Sequence, residues 1–90
     1  MNEGIFILYG SRARGDFRQD SDVDLMILLP SHYTDKQMAS ANRRITESLF
    51  QLHMKWGFNI EISPVIIRES AFNERKTPFT INVINEGIIL

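Results

Sequence analysis

The chain contains no cysteine, which excludes a disulfide framework, a thiolate nucleophile and a cysteine-ligated zinc site. It also has almost no net charge, formally −1. Proteins that bind nucleic acid nonspecifically need a basic excess to neutralise phosphates, so no direct nucleic-acid contact is expected. Long hydrophobic runs are missing as well: every apolar stretch is far shorter than the ~20 residues that span a bilayer, and no membrane association is expected. The opening residues MNEGIFILYG lack the basic n-region and small-residue cleavage site of a secretory signal, so a cytoplasmic location is the expectation. With three prolines and five glycines there is no Pro/Gly-rich linker. Residues 1–90 read as one domain, able to fold alone but too small to add a separate acceptor-binding domain.

What is present is an ordinary globular composition, 43% hydrophobic and 23% charged, that should bury a core. Ile5 to Tyr9 is apolar on both faces and closes on Gly10-Ser11, which predicts a strand in the middle of a sheet. Val23 to Leu29, stopped by Pro30, predicts a second strand. Between them lies a polar loop or short helical turn holding Gly15 and three arginines. Thr34-Asp35-Lys36-Gln37 is a capping box, after which Met38, Ala41, Ile45, Leu49, Leu52 and Trp56 recur at helical spacing until Gly57. Phe58 to Ile62 alternates, with Asn59, Glu61 and Ser63 on a polar face. Pro64 then marks an edge, a bulge or a strand end before Val65-Ile66-Ile67. Residues 70 to 77 read as a loop or short helix, and Pro78 opens a last helix that carries Phe79 and Val83 inward and stops at Gly87.

The chemistry concentrates in residues 10 to 25, GSRARGDFRQDSDVDL. Gly10 lets the backbone approach a phosphate without a Cβ in the way, and Ser11 adds a hydroxyl. Arg12 or Arg14 can neutralise the same triphosphate. Asp22 and Asp24 flank Val23, so a strand would point both carboxylates to one side, where they can bridge a hard cation. Mg²⁺ commonly takes one or two carboxylates plus phosphate oxygens. An EF-hand starting at Asp20 is excluded, because the loop's glycine position holds Leu25 and its final glutamate position holds Ser31. Arg14-Gly15-Asp16 is read as an incidental adhesion tripeptide. His32 and His53 have no neighbours at metal-ligand spacing, and Trp56 falls in line with the core stripe.

Gly10, Ser11, Asp22 and Asp24, together with Ala13, Arg14, Gly15, Ser21 and Leu25, fit the pattern GSxARGxxxxxSDxDL. This resembles the minimal nucleotidyltransferases of the DNA polymerase β-like superfamily. The resemblance implies an α/β (α+β) fold with a small mixed sheet of three or four strands and helices on one face. It favours Arg14 as the triphosphate ligand, and it supplies Glu61 as the third carboxylate beside Asp22 and Asp24, either a metal ligand or a base. Family members more often have Asp at that place. They also carry a helix before the first strand, for which there is no room here. The implied reaction is transfer of a nucleoside monophosphate, AMP from ATP, with two Mg²⁺ ions roughly 3.5–4 Å apart at the phosphorus under attack. The implied partner is a HEPN-domain toxin whose tyrosine receives AMP, which makes the chain the antitoxin. Two other readings stand beside it: an antitoxin that neutralises by binding alone, and a nucleotidyltransferase acting on a small antibiotic. Oligomeric state and base preference are left open.

Overall fold

The computed structural model describes residues 4–16, 18, 22–55 and 61–90. In chain order the elements are β1 (Ile5–Tyr9), α1 (Ser11–Arg14), β2 (Val23–Leu29), α2 (Asp35–Lys55), β3 (Ile62–Arg68), α3 (Glu69–Glu74), α4 (Pro78–Glu86) and β4 (Ile88–Ile89). The strands form one mixed sheet in the order β3-β2-β1-β4. β1 runs antiparallel to both of its neighbours, with Ile7 opposite Met26 and Tyr9 opposite Asp24 on one side and Ile7 opposite Ile89 on the other. β2 and β3 are parallel, Val23 opposite Ile62 and Asp24 opposite Ser63, because α2 carries the chain back over the sheet between them.

The mixed four-stranded sheet matches the expectation, but the helices, expected on one face, cover both. β2 explains the difference: all of Leu25 to Leu29 is buried, so both of its faces need a lid. Leu25, Ile27 and Leu29 pack with Ala41 and Ile45 of α2, while Met26 and Leu28 pack with Ile7, Phe72 of α3 and Val83 of α4. A single helical layer would leave one of these clusters in water.

Local signals set the element boundaries. The capping box forms as predicted: the Thr34 N–H donates to Gln37 Oε1 at 2.8 Å, and the Gln37 N–H to Thr34 Oγ1 at 3.2 Å. Trp56, Gly57 and the predicted strand start over 58–60 lie outside the described residues. β3 passes through Pro64 unbroken, which an edge strand tolerates because one side of its backbone has no ladder to serve. At the end of β3, Arg68 clamps the start of α2, donating to the Tyr33 carbonyl at 2.9 Å and pairing with Asp35 at 2.6 Å.

α4 begins at Thr77, which accepts from the Thr80 N–H and forms a reciprocal capping box with the Thr80 hydroxyl, and Pro78 supplies the first turn. Its inward side differs from the expectation. Thr80 and Val83 are buried, whereas Phe79 is 43% exposed. A buried threonine is tolerated because its hydroxyl donates to the Arg75 carbonyl at 2.6 Å. No described helix is long and apolar enough to cross a membrane.

Candidate functional site

The site is built where β1 leaves the sheet and β2 enters it. Gly10 has φ 78 and ψ −158, a backbone conformation that is essentially closed to residues with a Cβ. A Cβ there would also run into Asp24 Oδ2 and stand 3.2 Å from its Cγ. Glycine is therefore required twice over, once by its own torsions and once because the Asp24 carboxylate lies against its backbone. Ser11 opens α1, in which the N–H groups of Ala13 and Arg14 both donate to the Gly10 carbonyl at 3.1 Å. The turn of helix closes at Gly15, φ 84, whose N–H donates to the Ser11 carbonyl at 3.0 Å.

Asp24 is half-buried in β2, directly across from Tyr9. Burial raises the Tyr9 phenol above its ordinary value of 10.0, and the nearby Asp24 charge raises it further. Asp22 stands one residue before β2 and is exposed. Arg12 is half-buried within α1. Arg14 is exposed and reaches the other end of the chain: its guanidinium bonds Glu86 Oε2 at 3.1 Å and Asp16 Oδ2 at 3.3 Å. The bond to Glu86, then that to Asp16, holds this guanidinium even more firmly protonated than usual.

The structure thus brings Gly10, Ser11 and Asp24 together, with Arg12 and Arg14 on the same turn. Glu61 is nearby by backbone, its carbonyl accepting from the Val23 N–H at 2.8 Å, but its side chain is exposed and precedes β3. Among the described residues no three acidic or histidine side chains converge as a metal cage would require. The oxygen donors present, Asp24 against the Gly10 backbone and the exposed Asp22 two residues before Asp24, suit Mg²⁺, which needs few protein ligands when phosphate oxygens and water complete its shell.

A family model for the nucleotidyltransferase domain matches residues 5–78, from β1 to the first residue of α4. The chain belongs to the nucleotidyltransferase domain family. Two curated proteins of Methanocaldococcus jannaschii resemble this nucleotidyltransferase. One, named "Putative protein adenylyltransferase MJ0141", is 35% identical over 82 residues, covering 91% of this chain and 73% of its own. The other, "Putative protein adenylyltransferase MJ0604", is 29% identical over 85 residues, covering 93% and 74%. A solved structure described as "Crystal structure of the toxin-antitoxin with AMP-PNP" superimposes with a TM-score of 0.55 at 14% identity, a likeness of fold. It covers 99% of this nucleotidyltransferase, which spans 61% of that chain.

Two neighbours of the site were not legible as such in the sequence. Tyr9 reads there as one more apolar strand residue, although its place directly before Gly10 is a usable signal. Glu86 meets Arg14 across 72 residues of chain, a separation that no local pattern encodes.

Proposed function

We propose that this nucleotidyltransferase transfers AMP from ATP to a hydroxyl of an acceptor protein with Mg²⁺, and that it acts as an antitoxin whose acceptor is a tyrosine of a HEPN-domain toxin. The chemistry rests above all on one contact: the Asp24 carboxylate lies against the Gly10 backbone, so the phosphate-binding end and the acidic end of the motif share one place. A protein acceptor is supported by the two relatives named as protein adenylyltransferases. The toxin-antitoxin role is supported by the fold likeness to the complex with AMP-PNP.

In this reading the Gly10-Ser11 turn receives the β- and γ-phosphates, and Arg12 and Arg14 neutralise their charge. Arg14 exchanges Glu86 and Asp16 for phosphate, which is cheap because the ion pairs are exposed and weak. Asp22 and Asp24 hold Mg²⁺, which when bound stabilises charge on the phosphates. The acceptor oxygen bonds to the α-phosphorus as the bond from that phosphorus to the bridging oxygen breaks, giving an AMP ester and pyrophosphate. The hydroxyl proton passes to a carboxylate, for which Glu61 is the candidate.

The test is transfer of label from the α-phosphate of ATP to a candidate HEPN-domain toxin mixed with this chain. Asp22→Asn and Asp24→Asn should each lower the rate by about 10²-fold or more, the scale on which removing a charge-stabilising group acts. Equal labelling by both variants would sink the mechanism. A second reading is neutralisation by binding alone. It would be preferred if the double Asp variant silenced the toxin as well as the natural chain does, without ATP.

A further inference from the structure

α4 lies beside the candidate site and is tied to it at both ends. Near its C-terminus Glu86 holds Arg14 at 3.1 Å, and near its N-terminus Phe79 stands edge-on to Tyr9, with ring centroids 5.5 Å apart and an interplanar angle of 82°. Tyr9 directly precedes Gly10 and pairs in register with Asp24, so it stands on the same face of the sheet as that carboxylate. Phe79, Tyr9 and Asp24 therefore form a contiguous run leading away from the phosphate turn.

Phe79 is also held rigidly and left uncovered. It follows Pro78 in the first turn of α4, between the two members of the Thr77–Thr80 capping box, and Thr80 is only 4% exposed. Yet 43% of Phe79 faces solvent, although Val83 one turn later is buried. A fixed, solvent-facing aromatic ring beside a phosphate-binding turn meets the physical requirements of a stacking platform, since every base offers a π-face and stacking needs no hydrogen-bond pattern.

We propose that Phe79, buttressed by Tyr9, is the surface on which the base of the nucleotide stacks. The ligand class is a nucleoside triphosphate. Because a phenyl ring has no donor or acceptor, base selection there follows stacking area, with ATP and GTP held more tightly than CTP and UTP. This rests on the nucleotide-binding reading above, and the experiment separates the two.

Affinities for ATP and for inorganic tripolyphosphate, which has no base, are measured with Mg²⁺ on the natural chain and on Phe79→Leu and Phe79→Trp. Leucine keeps apolar bulk against Tyr9 but removes the ring, and thermal melting checks that each variant is folded. The expected result is a loss of ATP affinity of about fivefold or more in Phe79→Leu, the lower end for base–aromatic stacking, with tripolyphosphate unchanged and Phe79→Trp close to the natural chain. An unchanged ATP affinity, or equal losses for ATP and tripolyphosphate, overturns the platform while leaving the phosphate site standing. Binding of neither ligand by the folded natural chain overturns both.

Discussion

Replacing Gly10 by alanine probes the site through two separable costs. The first is conformational: φ 78 with ψ −158 lies in a region essentially reserved for glycine, and forcing a Cβ into it costs about 1–3 kcal/mol. Against the ~5–13 kcal/mol that stabilises a domain of this length, that is a substantial fraction. At about 4–8 °C per kcal/mol for a chain of this size, the melting temperature should fall by at least about 4 °C. The second cost is functional, because the new methyl would occupy the place of Asp24 Oδ2 and the carboxylate must turn away. Gly15→Ala is the control: φ is 84 there too, but nothing lies within 4 Å of the added Cβ, so only a torsional cost of about 1–2 kcal/mol applies. Calorimetric melting and ATP titration with Mg²⁺ on both variants separate the terms. Both variants should lose stability, and only Gly10→Ala should also lose nucleotide affinity. A Gly10→Ala variant that melts with the natural chain and binds ATP equally well would refute the geometry of the turn.

The Tyr9 phenol makes stability pH-dependent at the alkaline end. Its folded value lies above the unfolded 10.0, so its contribution is complete below pH 10 and is lost as pH rises through the folded value, where the unfolded chain has already released its proton. Urea midpoints across this range should fall more steeply for the natural chain than for Tyr9→Phe; identical slopes would contradict the assignment. Asp24→Asn should remove only the smaller part of the shift, since burial is the larger cause. Thr77→Ala removes one half of the α4 capping box and should cost about 1 kcal/mol, read as a drop in melting temperature and as faster amide exchange in the first turn of α4. Unaltered exchange there would mean that Pro78 alone fixes the helix start.

Features encoded over a few residues were legible in the sequence. Thr34 and Gln37 lie three positions apart, so their capping box follows from adjacency alone. Ile5 to Tyr9 and Val23 to Leu29 announce strands by unbroken apolar character, and the Gly10, Ser11, Asp22, Asp24 pattern announces the nucleotidyltransferase family. What escaped depends on how elements dock. The two-sided cover of β2 was implicit in its unbroken apolar run, yet which helix covers which face depends on chain reversal through α3 and α4. Val83 turns inward as expected but Phe79 does not, because the inward direction of α4 is set by the cluster of Ile7 and Phe72 that Val83 joins, not by hydropathy along the helix. Glu61 remains at the margin: its backbone joins β2 through Val23, but its reach toward Asp22 or Asp24 depends on a side chain left in solvent.

The pairing of Tyr9 with Asp24 has a consequence for how such a domain can diversify. β1 and β2 are the two stems of one long β-hairpin, and the two ends of the motif sit at the roots of its loop, one on each stem. Their mutual position is fixed by the ladder below them, not by the segment that joins them. Loop closure is forgiving, since doubling a flexible loop costs only ~0.6 kcal/mol. Between Gly15 and Asp22 the connection can therefore lengthen to suit a different acceptor while glycine and aspartate stay face to face.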